Sequence, residues 1–235
     1  MTATDILAEI HSLGSDSYKR VMLNHGVREP FSGGKISDLQ KIVRRIKTDY
    51  QLALDLYDTG NYDAMYLAGL IADDQRMTQA DLQLWAEQAY CSGLSGATVP
   101  WVTAGSRYGW ELALEWIDSP KTHIAITGWS TLASLVSIKA DSELDLPALQ
   151  QLLGRVQETI HTAPDLVRYQ MNGFVIAVGS YIPALTDLAL QTAETIGPVI
   201  ADLGNNSCKM PFAPNSIRKV QQRGTLGKKR KSAKC

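Results

Sequence analysis

Helical periodicity runs through almost the whole chain, and this feature constrains the fold most. Apolar residues recur at helical spacing in segments 36–46, 149–160 and, more weakly, 185–196, as they do on the buried face of an amphipathic helix. The apolar run 174–178 has the length of a buried strand. However, Pro164 and Asp165 begin a segment that has no turn signal before Gly179. We therefore predict a buried helix there and an all-α chain.

Helix boundaries are marked along this pattern. Three residue pairs have the spacing of a capping box: Thr2 with Asp5, Ser37 with Gln40, and Thr78 with Asp81. Such pairs satisfy free N–H groups in the first turn of a helix. Glycines stand where helices are expected to end, at Gly14, Gly26, Gly60 and Gly197, and prolines where they are expected to begin, at Pro120, Pro147, Pro164 and Pro183. These signals predict many short helices.

The spacing of the helix starts indicates a repeat. Helix pairs are expected to begin at Ser37, Thr78, Ser119 and Pro164, in steps of 41, 41 and 45 residues. HEAT and armadillo units repeat at about 40–47 residues. We therefore predict a HEAT-like helical-repeat solenoid, an α-α superhelix, over residues 1–224. A compact helical bundle is the alternative, but the helices are short and no glycine-rich linker divides the chain.

Two segments interrupt the helical pattern, and charge separates the C-terminus from the rest. Residues 26–35 and 200–214 are predicted to be connecting loops, and 215–222 a short helix. Nine of the 23 basic residues and none of the 24 acidic residues lie in 209–235, so the remainder of the chain has a net charge of −10. We expect 225–235 to be a flexible basic tail on an acidic body.

The sequence contains no signal for a membrane or for secretion. No apolar run reaches the roughly 20 residues that a membrane span needs, and the first residues lack a basic region followed by an apolar run. Three cysteines, widely spaced and odd in number, argue against a disulfide framework. We expect a cytoplasmic protein that does not enter a membrane.

Local motifs for cofactor or metal chemistry are missing from the sequence. There is no phosphate-binding loop and no Cys-x-x-Cys, and the four histidines are too scattered to pair on one helix. We therefore expect no metal and no cofactor. Cys208 precedes Lys209, which lowers a thiol pKa where the two groups meet, but a free cysteine is more often a packing residue.

Several side chains are candidates for nucleic-acid contacts. Five tryptophans lie between residues 85 and 129, and most are expected in the core. Trp129 is the exception, because small polar neighbours surround it. The candidate DNA-binding residues are Lys41, Arg44 and Arg45 on one helix and Lys228, Lys229, Arg230 and Lys231 in the tail. Acidic residues that have the chemistry of a general base are Asp73, Asp74, Glu111 and Glu115, although a solvated helix face is the simpler interpretation.

Three stretches of the chain together carry a family resemblance. They are residues 25–33 (His-Gly-Val-Arg-Glu-Pro-Phe-Ser-Gly), residues 49–74 with Leu-x-Leu-Tyr-Asp-Thr-Gly at 54–60, and the end of the chain with Cys-Lys-Met-Pro at 208–211 and Arg-Gly-Thr-Leu-Gly-Lys-Lys-Arg-Lys at 223–231. These resemble a branch of the AlkD-like DNA alkylation repair proteins. The resemblance implies a HEAT-like solenoid and excision of cationic alkylpurines from DNA.

In that family a Trp-x-x-x-Asp element and a second Trp hold the lesion, and an Arg holds the DNA backbone. The carboxylate stabilises positive charge on the sugar, and the aromatic faces favour a cationic base. With Val99 and Pro100 as the anchor, the Trp-x-x-x-Asp element falls on residues 92–96, Ser-Gly-Leu-Ser-Gly. The Arg falls near Thr127, and the second Trp on Phe174.

The resemblance thus predicts the fold better than the activity. We expect a DNA-binding member of the DNA alkylation repair family with weak or diverged glycosylase activity. Its catalytic residues are unassigned, its candidate lesion-facing aromatics are Trp129 and Phe174, and alkylated duplex DNA is its expected partner. The alternative is a non-catalytic HEAT-like scaffold for a protein partner.

Overall fold

In a computed structural model, which describes residues 1–204 and 209–234, the chain is helical throughout, and no strand occurs in those residues. The α-helices are α1 Ala3–Ser12, α2 Asp16–Asn24, α3 Ile36–Ile46, α4 Tyr50–Asp58, α5 Tyr62–Ile71, α6 Gln79–Gln88, α7 Val99–Gly105, α8 Gly109–Trp116, α9 Thr122–Ile138, α10 Leu146–Thr159, α11 Asp165–Tyr181, α12 Thr186–Ile196 and α13 Ala213–Gln222. A π-helical segment, Leu94–Thr98, precedes α7. Short 3-10 helices occur at Asp141–Glu143, Ile160–Thr162 and Pro183–Leu185.

The helices form two layers. One layer runs α5, α7 with its π-helical segment, α9 and α11, and each of these packs against the next. The other layer covers it: α4 lies on α5, α8 on α9, and α10 and α12 on α11. Each layer therefore buries the apolar face of the other, as stacked helix pairs do in a solenoid. The all-α prediction, including a helix over 174–178, is confirmed.

Most of the predicted helix boundaries are also confirmed. Thr2 with Asp5 and Thr78 with Asp81 form complete capping boxes. The box predicted at Ser37 and Gln40 is wrong, because α3 already begins at Ile36 and its N-cap, Lys35, makes no side-chain bond. The predicted repeat starts lie within three residues of the first residues of α3, α6, α9 and α11.

The core forms two contiguous clusters along the solenoid. The N-terminal cluster runs from Ile6 to Ile124, the C-terminal cluster from Ala104 to Ala233, and Trp101 packs against both. Within the described residues, no single helix is long and apolar enough to cross a membrane; α11 with 183–196 meets that criterion only as a pair bent by 117°.

The C-terminal segment 225–234 lies against the fold, which differs from the flexible tail that the sequence predicted. The main-chain N–H of Gly227 donates to Ser180 O at 3.0 Å, and that of Arg230 to Ser137 O at 2.8 Å. Ala233 is buried in the C-terminal cluster. We call residues 225–234 the C-terminal strap, because they cross the ends of α11, α9 and α5.

Candidate nucleic-acid groove

The floor of the main groove is the segment 92–96, where the resemblance placed the Trp-x-x-x-Asp element. The π-helical turns widen the backbone here, and the hydroxyl of Thr98 donates to Gly93 O at 3.1 Å. The hydroxyl of Ser130, from α9, donates to Gly96 O at 2.6 Å. π-helical turns are rare and often occur at functional sites. The groove floor is therefore backbone and small side chains.

Close packing explains why glycine stands at two of these positions. A Cβ atom at Gly93 would lie 2.6 Å from the hydroxyl oxygen of Tyr62, and one at Gly96 would lie 2.8 Å from Nε2 of Gln170. Ser92 stands where the resemblance expects the Trp, and Gly96 where it expects the Asp. The structure thus has neither an aromatic ring nor a carboxylate on the floor.

The groove walls come from distant parts of the chain. Two adjoining clefts, of about 250 Å³ and 540 Å³, share His25, Ser92, Leu166 and Leu203. One wall is the end of α2, and the other is the first turns of α11 together with residues 202–204. Tyr169 and Gln170 of α11 line the smaller cleft, and Tyr90 lines the larger. The groove therefore combines amides, hydroxyls and aromatic rings.

The groove carries little positive charge. No Lys or Arg is among the described residues that line either cleft. Two carboxylates do line it: Asp165 lies 3.5 Å from the guanidinium of Arg168, and Asp202 accepts the N–H of Gly204 at 2.8 Å.

Arg28 lies beside the groove and contacts Tyr90. Its guanidinium carbon is 4.3 Å from the centre of the Tyr90 ring, and the Tyr90 hydroxyl donates to Arg28 O at 3.2 Å. Burial raises the pKa of Tyr90 to about 12, so this hydroxyl stays protonated at neutral pH. The pair places a cation and an aromatic ring together at the rim, an arrangement compatible with stacking on a base.

A buried carboxylate fixes the loop that leads from α2 to α3. Asp63 of α5 accepts the backbone N–H groups of Ser32, Gly33 and Gly34 at 2.6, 3.0 and 3.1 Å. Burial raises the pKa of Asp63, and these three N–H bonds oppose that shift. Asp63 therefore anchors the loop, and through it the wall of the groove.

The candidate lesion-facing aromatics are in the core, which corrects that expectation. Trp129 is 1 % exposed and Phe174 is 0 % exposed. Their rings pack together with centroids 5.4 Å apart, because α9 and α11 face each other with these residues between them. Neither ring lines the groove clefts; Trp129 lines a separate cavity of about 220 Å³, where the guanidinium carbon of Arg155 is 5.7 Å from the centre of its ring. Thr127, at the expected position of the backbone-holding Arg, is also fully buried and bonds His123 O.

The candidate basic residues of α3 are on the surface, and two of them pair with acids. The ammonium of Lys41 lies 2.7 Å from Asp38, and the guanidinium of Arg45 contacts Glu9. Arg44 is exposed. Of these three basic residues, Arg44 is the one that forms no ion pair with a described residue.

Some basic residues of the strap bond to helix ends, and the others are exposed. Lys229 donates to Val136 O at 2.8 Å and lies 2.8 Å from Asp141, so it is committed to the end of α9. Lys234 donates to Ala72 O at 2.7 Å and pairs with Asp74 at the same distance. Lys228 and Lys231 are exposed, as is Arg230, whose guanidinium donates to Ala233 O. The structure therefore gives Lys229 a structural role instead of the predicted DNA contact.

The acidic residues with general-base chemistry lie elsewhere. Asp74 is paired with Lys234, whereas Glu111 and Glu115 are on the exposed surface of α8. Asp73 accepts the N–H of Gln75 at 3.2 Å. None of the four lines the groove clefts. Cys208 and Cys235 lie outside the described residues.

Sequence comparison assigns the chain to a family. Residues 6–201 match the family of DNA alkylation repair enzymes, and the chain belongs to that family. Its helical-repeat architecture is the HEAT-like fold of the related DNA glycosylases. The predicted family and the predicted fold class are confirmed.

Individual relatives agree with this assignment. The proteins Lmo0209 of Listeria monocytogenes and Lin0241 of Listeria innocua are each 30% identical over 229 residues, covering 95% of this chain and 99% of each relative. A solved structure matches with a TM-score of 0.92 and 32% identity, over 100% of both chains. That structure represents a new family of proteins related to the HEAT-like repeat DNA glycosylases, with affinity for branched DNA structures.

Proposed function

We propose that this protein binds DNA in the groove, prefers branched over continuous duplex DNA, and excises alkylated bases weakly or not at all. Membership in the DNA alkylation repair family supports DNA as the partner. The affinity of the similar solved protein for branched DNA supports the preference. No Lys or Arg is among the described residues that line the groove, which supports contact with bases at least as much as with phosphates.

The observation that carries the proposal is the groove floor at 92–96. Base excision leaves positive charge on the sugar, and a positioned carboxylate stabilises it. Losing one such stabiliser lowers the rate by about 10²–10³. Here the floor holds glycines against Tyr62 and Gln170, so no side chain of the floor supplies that charge.

Binding is tested by fluorescence anisotropy with a four-way junction, a flapped duplex, a continuous duplex and a methylated duplex. We expect tighter binding to the junction and the flap. Tyr169→Ala removes a ring from the groove, whereas Tyr181→Ala removes a comparably half-buried ring from the far end of the same helix. Weaker junction binding by Tyr169→Ala than by Tyr181→Ala is expected, and equal affinities would remove Tyr169 from the interface.

Excision is tested by release of 7-methylguanine and 3-methyladenine from methylated DNA, with a vector-only preparation as control. We expect release close to that of the control. The variant Asp165→Asn is the internal check, because Asp165 is a carboxylate that lines the groove. Robust release that depends on Asp165 would show a relocated catalytic acid and would contradict the proposal.

A protein-binding scaffold is the second candidate, and one observation favours it. The body of the chain is acidic and the groove has no Lys or Arg among its described lining residues, whereas DNA binders usually carry a basic stripe. The anisotropy experiment separates the two: absence of binding to all four DNAs at low salt would favour the scaffold.

A further inference from the structure

Helix α2 is the most weakly packed helix at the groove. It has no buried residue, and Val21 and Leu23 are 48% and 49% exposed. Lys19, in its first turns, pairs with Glu29 at 2.6 Å and lies over the ring of Phe31. At the end of α2, Val21 and Leu23 are thus exposed, whereas Met22 packs against the N-terminal core cluster.

Leu23 has a counterpart on the other wall of the groove. Leu166, in the first turn of α11, is 36% exposed, and both leucines line the 540 Å³ cleft. Scattered apolar side chains on a protein surface are ordinary, but these two belong to one cleft although they are remote in sequence. A cleft with apolar groups on two walls is suited to an apolar surface of the partner.

The charges in and around the cleft indicate which part of a DNA molecule binds there. Among the described residues that line this cleft, the charged ones are Asp165 and Asp202, and both repel phosphate. The exposed cation Arg28 follows α2 and contacts Tyr90, which lines the cleft, so a positive charge lies at its edge. Phosphates are therefore favoured at the edge and uncharged base faces inside.

We propose that Leu23 and Leu166 form an apolar wedge that contacts the unstacked base face at a DNA branch point. A continuous duplex offers no such face, because each base pair is covered by the next. At a branch the stack ends, and apolar side chains that insert at base steps replace the lost stacking. The wedge therefore supplies branch selectivity, and it rests on the DNA binding proposed above.

The test compares Leu23→Ser, Leu166→Ser and the double variant with matched controls. Leu84 of α6 is 53% exposed and Leu188 of α12 is 36% exposed, and neither lines the groove clefts. Leu84→Ser and Leu188→Ser therefore remove equally exposed leucines elsewhere. Affinity is measured for a four-way junction and for a continuous duplex of the same sequence.

We expect the double variant to lose about tenfold in junction affinity, the size of one base-stacking contact, with duplex affinity unchanged. The control variants should keep both affinities. Unchanged junction affinity in the double variant, or equal losses on junction and duplex, would overturn the wedge and leave DNA binding intact. A wild-type protein that binds neither DNA would overturn the proposed function as well.

A second measurement reports on the base itself. 2-Aminopurine placed beside the branch point becomes more fluorescent when it unstacks. Wild-type protein should raise this signal, and the double variant, at saturating concentration, should not. An equal increase with both proteins would show that the two leucines do not contact the branch, and would overturn the proposal without any reference to affinity.

Discussion

The first turns of helices α9 and α11 differ from their last turns in exposure and in charge. Their first turns, with Ile126 and Tyr169, line the groove, whereas their last turns, at Ser137 and Ser180, lie under the C-terminal strap. The groove end is uncovered, and its described cleft-lining residues are neutral or acidic. The strap end is covered and basic. The same two helices thus join the candidate groove to the C-terminal strap.

Helix polarity explains why the basic segment is at the strap end. The last carbonyls of a helix have no partner within the helix, and the helix dipole favours cations there. Lys229 donates to Val136 O near the end of α9, and Lys234 donates to Ala72 O at the end of α5. A cluster that resembles a DNA-binding arm is therefore partly committed to helix ends.

The largest expected effect comes from the core between the two ends. Trp129→Ala should lower the free energy of unfolding by about 3–5 kcal/mol, because it removes a fully buried ring. Urea denaturation measures this loss. Trp110→Ala, at a half-buried position of α8, is the control and should cost less. If Trp129→Ala kept its stability but lost DNA binding, Trp129 would belong to the groove, and the contrast between the core and the groove end would be wrong.

Removal of the strap should have the next largest effect. Deleting residues 225–235 eliminates two main-chain and two lysine hydrogen bonds to the helix ends and should lower the free energy of unfolding by about 3 kcal/mol, at about 0.5–1.5 kcal/mol per bond. Full stability after truncation would mean that the strap is an independent tail.

The same truncation also tests how much the strap contributes to the salt dependence of DNA binding. Each lost phosphate contact lowers the log–log salt slope of DNA binding by about 0.9. Because Lys229 is tied to α9 and Lys234 to α5, the strap's exposed cations are Lys228, Arg230 and Lys231. The slope should therefore fall by no more than about 3. A larger fall would show that the strap leaves the helix ends when DNA binds.

Sequence reasoning predicted the layered helices because periodicity and capping are local. The stripes at 36–46 and 149–160 became α3 and α10, and two of the three capping boxes formed. The strap was not predictable in this way. Lys229 bonds Val136, which is 93 positions away in the sequence, and Lys234 bonds Ala72, which is 162 positions away. No local pattern distinguishes such a lysine from a solvated one.

The groove was also not predictable from the sequence, but for a different reason from the strap. Its floor is Ser92, Gly93 and Gly96, residue types that carry no chemical signature of their own. Family resemblance located the segment but expected Trp and Asp there. It assigned an aromatic role to Phe174, and the small polar neighbours of Trp129 suggested the same role for that residue, but both side chains are buried. The features that make the floor a candidate site are its backbone shape and the walls that α2 and α11 bring to it.

Substitution of the floor glycines should have smaller effects that differ from each other. Gly93→Ala forces its Cβ towards the hydroxyl of Tyr62, which is 7% exposed and has little room to move, so a loss of about 1–3 kcal/mol in unfolding free energy is expected. Gly96→Ala meets only the amide end of Gln170, which is half-buried and flexible, and should cost less. Equal losses would show that both positions are equally rigid.

The smallest expected effect is a pH dependence at the strap end. Burial raises the pKa of Asp74 above its ordinary 3.8, although Lys234 opposes the shift. The folded state therefore holds this proton more tightly than the unfolded state, so the stability contributed by Asp74 is fully present below pH 3.8 and is lost as pH rises through the folded pKa. The unfolding free energy of wild type minus that of Asp74→Asn should then decrease from acid towards neutral pH. Lys234→Met removes the opposing charge and should move the decrease to higher pH. A difference that instead grows with pH would mean that the ion pair outweighs burial, and that the strap holds Asp74 as a carboxylate.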